Sequence, residues 1–346
     1  MKTANKSIMG LLTFVFALLL ASCSTESIEN PSLVTSKEPL TTTNGQTPLE
    51  RFYESLDSLN ANYSSGSLLS RAPILDNNNN LDKVEPNNRM STKTADYIGK
   101  IAGGYGGKWI GRMGGAATGI PGMSFVGGFA GRYIGGIVGS TLFSYLAGKC
   151  GNIVSVDDSK MEVTGVLIPS DINPISGDSI GILHNYLMSQ LNANKDKYNQ
   201  PNGGINYGLI YADCVELLKD EGIYNDTIAN DVEYRNNIIN MAKEISAIAN
   251  SCYGGQISIN TMIDKSATLL KSDFNVDDED IAELKSMTEE ILPTCSGMET
   301  EEAISYAKDI STLIQKSDMT PSEKQEISSS ASLIISSSLY WDHISE

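Results

Sequence analysis

Two histidines in 346 residues leave little material for imidazole zinc centres or for general acid–base work by histidine. No cysteine pair is spaced C-x-x-C, so neither a metal knuckle nor a dithiol redox motif is present. H-E-x-x-H and G-x-S-x-G are both missing. Gly107-Lys108-Trp109 and Gly148-Lys149-Cys150 fail as phosphate loops, because the hydroxyl residue and the upstream glycine are absent. Gly104-Tyr105-Gly106 has no strand before it, which argues against a dinucleotide site. Cations are in short supply too: 25 Lys and Arg stand against 42 Asp and Glu, a net charge of −17. Nucleic-acid affinity comes largely from lysine and arginine, so no nucleic-acid partner is expected. Charged residues make up only 19 % of the chain and hydrophobic ones 40 %, which excludes a core-less disordered polymer. These gaps leave no catalytic residue, metal site or cofactor to expect.

What is present begins at the N-terminus. Lys2 and Lys6 precede an apolar stretch, Ile8 to Leu20, broken by Gly10 and Thr13. That stretch is short for a spanning helix, which needs about 20 apolar residues. Leu20-Ala21-Ser22-Cys23 follows, small residues directly before a cysteine, and it resembles a bacterial lipobox. The resemblance implies that residues 1–22 are a lipoprotein signal peptide and that Cys23 is lipidated on its thiol. Cys23 would then anchor the chain, as its first residue, in the envelope of a Gram-negative bacterium. Ser24 rather than aspartate after the cysteine points to the outer membrane and leaves the leaflet open. Cys150, Cys214, Cys252 and Cys295 remain. In an exported protein they form either two disulfides, in one of three connectivities, or buried free thiols.

Residues 23–92 read as a tether, rich in Ser, Thr, Asn and Pro, with one short amphipathic helix at 48–60. There Pro48 suits a first helical turn, and Leu49, Phe52, Tyr53, Leu56 and Leu59 recur at helical spacing.

Residues 93–149 hold 17 of the 31 glycines. Gly99, Gly103, Gly107, Gly111, Gly115 and Gly119 form one G-x-x-x-G ladder; Gly127, Gly131, Gly135 and Gly139 form a second. Gly119-Ile120-Pro121-Gly122 between them is a strong break, so two helices joined by a turn are expected. Successive glycines four apart drift only about 40° round a helix, so several share one groove into which a second backbone can settle. Each glycine costs roughly 1 kcal/mol against alanine in a helix, so such arms form only where close packing or lipid compensates. The second arm, Phe125 to Gly148, carries one charge, Arg132, and is long enough to span a bilayer; Tyr105, Trp109, Tyr133 and Tyr145 suit interfacial positions. The segment's charge is +5 and the leader's +2, so the rest of the chain holds −24. A basic hairpin in an acidic protein is expected either to seek anionic lipid or to dock on its own acidic domain. The two ladders resemble the glycine-zipper segments of Gram-negative surface-antigen lipoproteins and, more loosely, glycine-rich helical bacteriocins.

Residues 150–346 read as an acidic helical domain. Helical patterns recur at Leu209 to Glu221, Asn230 to Cys252, Ser258 to Ser272, Asp278 to Ile291, Thr300 to Lys316 and from Pro321 onward. Ile180, Leu183, Leu187 and Leu191 mark another, capped by Asp178 or Ser179. Thr320-Pro321-Ser322-Glu323 combines an N-cap, a proline at the first position and a capping-box glutamate. His184 is read as a core residue, and Asp277 to Asp280 as an acidic helix start. The serines of Ser328 to Ser338 would let the last helix pack closely. The expected fold is mainly α: a disordered N-terminal tether, a glycine-zipper helical hairpin and an α-helical bundle. The expected protein is a membrane-anchored, non-enzymatic lipoprotein whose hairpin packs in or on a membrane or mediates self-association into a homo-oligomer. An antimicrobial or pore-forming effector and an envelope enzyme are the alternatives.

Overall fold

The computed structural model describes residues 46–66, 88–117, 123–150, 165, 180–201, 204–223, 226–253 and 255–343. Cys23, Gly119 and the breaker at Pro121 lie outside the described residues, as do the leader, residues 24–45, and Asp178 and Ser179. The described chain is mainly helical, with eleven α-helices, and among these residues no strand forms beyond an isolated bridge between Asn199 and Ile205. In order they are α1 (Pro48–Gly66), α2 (Asn88–Ala117), α3 (Met123–Cys150), α4 (Ile180–Ala193), α5 (Tyr207–Asp220) and α6 (Asp226–Asn230). Then come α7 (Val232–Tyr253), α8 (Ile259–Phe274), α9 (Asp278–Cys295), α10 (Thr300–Lys316) and α11 (Pro321–His343).

The helix ends follow local chemistry. Ser258 caps α8 by accepting from the Thr261 N–H at 3.1 Å, and Asn206 caps α5 from Leu209 at the same distance. At α11 the reciprocal capping box forms: the Thr320 N–H donates to Glu323 Oε2 at 2.7 Å, and the Glu323 N–H to Thr320 Oγ1 at 3.3 Å. Asn275 closes α8 in the left-handed region, φ 52°, which asparagine tolerates.

Two helices differ in extent from the pattern reading. α1 continues past residue 60 to Gly66, because Tyr63 stacks edge-on against Tyr306 at 4.9 Å and donates to Asp309 at 2.7 Å. α2 starts at Asn88, in sequence that reads as linker. Ser91, Thr92 and Thr94 are polar and of modest helix propensity, yet all are buried, so tertiary packing overrides their local preference.

α2, α3, α4 and α11 form the interior, with α1, α5, α7, α8, α9 and α10 around them. Phe52 and Leu56 of α1, Ile98 of α2, Phe143 of α3, Leu187 of α4 and Trp341 of α11 belong to one contiguous core. α1 lies against α9 and α10, with Asn60 Nδ2 donating to the Glu290 carbonyl at 2.9 Å. Tyr145 is not at an interface but wholly buried, edge-on to Tyr198 at 5.6 Å.

α2 and α3 run antiparallel, and their glycines face one another. A Cβ added at Gly99 would strike the carbonyl oxygen of Gly139; at Gly103, that of Gly135; at Gly107, that of Gly131. Each approach falls inside the 3.0 Å that real Cβ atoms keep, and the atom met is backbone, which cannot swing aside. Gly111 and Gly115 lie within α2 and Gly127 within α3. A second crossing of small residues joins α4 to α11, where a Cβ on Gly181 would meet the Ser332 carbonyl and the Ser336 hydroxyl. Seven buried serines, Ser328, Ser329, Ser330, Ser332, Ser336, Ser337 and Ser338, let α11 sit inside the bundle from Ile327 to Trp341.

No described helix is long and apolar enough to cross a membrane. α3 has the length, but glycine, serine and Arg132 dilute its apolar content. Cys214 and Cys295 are buried free thiols, so neither joins a disulfide; the Cys150 side chain lies outside the described ones. Burial pushes both thiols up, Cys295 to about 12, which keeps them protonated and unreactive.

Gly103→Ala should destabilise the protein by about 1–3 kcal/mol, because overpacking at a backbone contact cannot relax through rotamers. Gly208→Ala, where an added Cβ comes no closer than 3.7 Å to Asn206 Oδ1, should be neutral or gain up to about 1 kcal/mol. Urea unfolding of the two variants checks the contrast.

Candidate functional site

Lys93, Asp96 and Lys100 lie three and four residues apart, which places them on one face of α2. That face meets α11 running the opposite way. Lys93 Nζ reaches Asp342 at 2.7 Å, near the end of α11. Asp96 Oδ2 accepts from the Ser337 hydroxyl and, at 3.1 Å, from the Trp341 indole N–H. Lys100 Nζ donates to Ser330 Oγ at 2.5 Å and to Glu326 at 2.7 Å, with Glu283 of α9 at 3.4 Å. α3 joins the seam through Arg132, 2.6 Å from Asp280 and 2.8 Å from Glu326. The Tyr97 hydroxyl donates to Glu283 at 2.8 Å.

The seam is interior. Lys93, Asp96 and Lys100 are 3 %, 1 % and 4 % exposed. A buried charge is tolerated only when it is paired and hydrogen-bonded, and here three cations meet four carboxylates. Burial pushes Glu326 upward, but Lys100 and Arg132 overcome that and hold it at about 2. Arg132 is raised above its ordinary value: burial opposes its charge, and Glu326 and Asp280 outweigh the burial.

Asp96 behaves in the opposite sense. Burial lifts it to about 8, against hydrogen bonds from Ser144, Ser337 and Trp341 that pull downward, so it holds a proton at neutral pH. His184 Nε2 of α4 lies 3.7 Å away with no hydrogen-bond partner, and Asp96 Oδ1 likewise has none. Burial lowers His184 to about 4, opposed by its 3.0 Å contact from Nδ1 to Asn185 Oδ1. Asn185 in turn donates to the Ser336 carbonyl at 2.8 Å.

Serine, histidine and aspartate thus come together, but not in the order that activates a nucleophile. There the imidazole must stand between hydroxyl and carboxylate; here the Ser337 hydroxyl donates straight to Asp96. His184 and Asp96 are both buried. A cavity of about 390 Å³ lies elsewhere, between α2, α7 and α8. Among the described residues no group of His, Cys, Asp and Glu could hold a metal ion.

Of the residues expected from sequence, Gly99, Gly103 and Gly107 meet Gly139, Gly135 and Gly131. His184 is a core residue, and Asp278, Glu279 and Asp280 open α9. Asp280 does more than favour the helix start, since it also holds Arg132. The ion-paired roles of Lys93, Lys100, Glu326 and Asp342 escape pattern reading. The available signal was the helical spacing of three charges at the head of an otherwise small and apolar arm. The chain matches no known protein family, curated protein or solved structure.

The titrations set a pH profile. The unfolded Asp96 carboxyl titrates near 3.8 and the folded one near 8, so the native state takes up a proton between them. Stability from this group is complete below about 4 and is lost as pH rises through about 8. His184 and Glu326 are depressed instead. Their contributions are complete above 6.5 and 4.5 and are lost as pH falls through about 4 and about 2 respectively. Asp96→Asn, which keeps an acceptor for Ser337 and Trp341, should flatten the decline of stability between pH 5 and 8 by up to about 1.4 kcal/mol per pH unit. Urea midpoints across that range for both proteins measure it. Lys100→Met, leaving Glu283 and part of the Glu326 charge unpaired, should cost about 3–5 kcal/mol in the same assay.

Proposed function

We propose that this chain is an exported lipoprotein held in the outer membrane by lipid on Cys23, whose glycine-zipper hairpin serves as the packing spine of its own helical body. Leu20-Ala21-Ser22-Cys23 supports the anchor. The observation that carries the role of the hairpin is the pairing of Lys93, Lys100 and Arg132 with Asp342, Glu326 and Asp280. Cations that could have sought anionic lipid are spent on carboxylates of the same chain. The glycine groove, too, is filled by a helix of the same chain, which leaves little of it for another copy. In this reading the membrane is met through the lipid and residues 24–45, and the acidic helical body is displayed from it without catalysis.

A second reading has an observation in its favour. α3 is the apolar arm, and it lies inside the bundle behind amphipathic helices, the arrangement an effector would use to carry a membrane-active hairpin in covered form. Two measurements separate the readings. Globomycin should cause the precursor to accumulate, and Cys23→Ala should move the protein out of the membrane fraction; an unchanged precursor and unchanged fractionation would remove the anchor. The folded mature chain should cause no dye leakage from anionic liposomes, whereas leakage would establish the effector reading in place of the packing spine.

A further inference from the structure

We propose that the cavity between α2, α7 and α8 binds a small organic cation with an apolar body, of the alkylammonium class. Its volume, about 390 Å³, falls in the range of small-molecule sites. Three aromatic side chains line it, one from each helix: Tyr105, Tyr234 and Phe274. Ala102, Ile238 and Met241 add apolar surface, and Asp231, Glu233 and Asp273 bring three carboxylates. No lysine, arginine or histidine is among the described residues that line it, and none of those carboxylates has an ion pair among the described residues.

The aromatic wall is built rather than incidental. A Cβ at Gly106 would lie 2.8 Å from Tyr234 Cε2, so only glycine lets that ring settle against α2. The Tyr234 hydroxyl is committed to the Gly103 carbonyl at 3.2 Å, in the crevice the glycine ladders open, which fixes the ring and leaves its carbon surface as wall. Its backbone N–H donates to Asp231 Oδ1 at 2.7 Å, which fixes one carboxylate beside it.

This lining selects by chemistry. Among the described lining residues, anions meet three carboxylates and no cation. Nor do the described residues offer a bare metal ion a cluster of ligands. A neutral apolar molecule gains nothing from the acids. An ammonium carried on an apolar body gains from both, through attraction to aromatic rings and to carboxylates, and the net charge of −17 draws cations toward the surface. The site is independent of how the chain is anchored.

Isothermal titration of the mature chain with benzyltrimethylammonium, choline and the neutral carbon analogue of choline, dimethylbutanol, tests the proposal. The first should bind most tightly, choline more weakly, and dimethylbutanol at least about tenfold more weakly than choline. The double variant Glu233→Gln/Asp273→Asn, whose two positions are exposed, should keep its melting temperature and lose about tenfold in affinity. Glu244→Gln/Glu301→Gln, exposed and outside the cavity lining, should keep wild-type affinity. Absence of binding by either cation, equal binding of dimethylbutanol, or equal loss in the two double variants would overturn it.

Discussion

The spacing between α2 and α3 is set by backbone meeting backbone. Three glycine pairs, 99 with 139, 103 with 135 and 107 with 131, bring carbonyls to where a Cβ would otherwise stand. Two consequences follow from that approach. At these three crossings the two helices bring together backbone rather than side chains, so the crossings contribute dispersion and close packing but little apolar area. The remaining faces of both helices must then be covered by other elements for the core to close. α7 lies against both helices, α11 against α2, and α4 against α3. A pair of helices that would melt alone, at roughly 1 kcal/mol per glycine, is thus made stable by what surrounds it.

Covering such helices closely requires small residues on the other side too. α11 supplies serines where an ordinary core helix supplies leucines, and Gly181 of α4 meets Ser332 and Ser336 of α11 at backbone range. The serine hydroxyls bring an obligation, because each buried one needs an acceptor or donor. Ser330 and Ser337 meet theirs on Lys100 and Asp96 of α2, so at these two positions the polar seam and the serine helix satisfy one another. Leucine at Ser330 and Ser337 would take one hydrogen-bond partner each from Lys100 and Asp96 inside the core.

Much of this architecture is legible in the residues. Gly99, Gly103 and Gly107, spaced four apart in the sequence, lie where α2 approaches Gly139, Gly135 and Gly131 of α3. Thr320-Pro321-Ser322-Glu323 names the start of α11 to the residue, because a capping box acts through local geometry alone. The first turn of α2 is not legible. Ser91, Thr92 and Thr94 are helical because they are buried against distant helices, and no local preference announces that. Nor is the seam: Glu283, Glu326 and Asp342 look like surface acids in an acidic chain, and only the fold shows which of the 42 carboxylates face Lys93, Lys100 and Arg132. Charge arithmetic limits the basic segment to lipid or to its own domain. Choosing between them takes three-dimensional pairing.

The seam also resolves an ambiguity that glycine alone leaves open. A G-x-x-x-G ladder shifted by four residues lands on itself, so α2 and α3 could slip one turn against each other and still offer glycine to glycine. Such a slip moves side chains about 6 Å along the axis. Lys100 of α2 and Arg132 of α3 both reach the same carboxylate, Glu326 of α11, at 2.7 and 2.8 Å. One turn of slip would carry one of them out of range and strand a buried charge, a loss of several kcal/mol against the small difference between ladder registers. Close packing therefore sets how near the two helices lie, and a shared glutamate sets where along each other they stop.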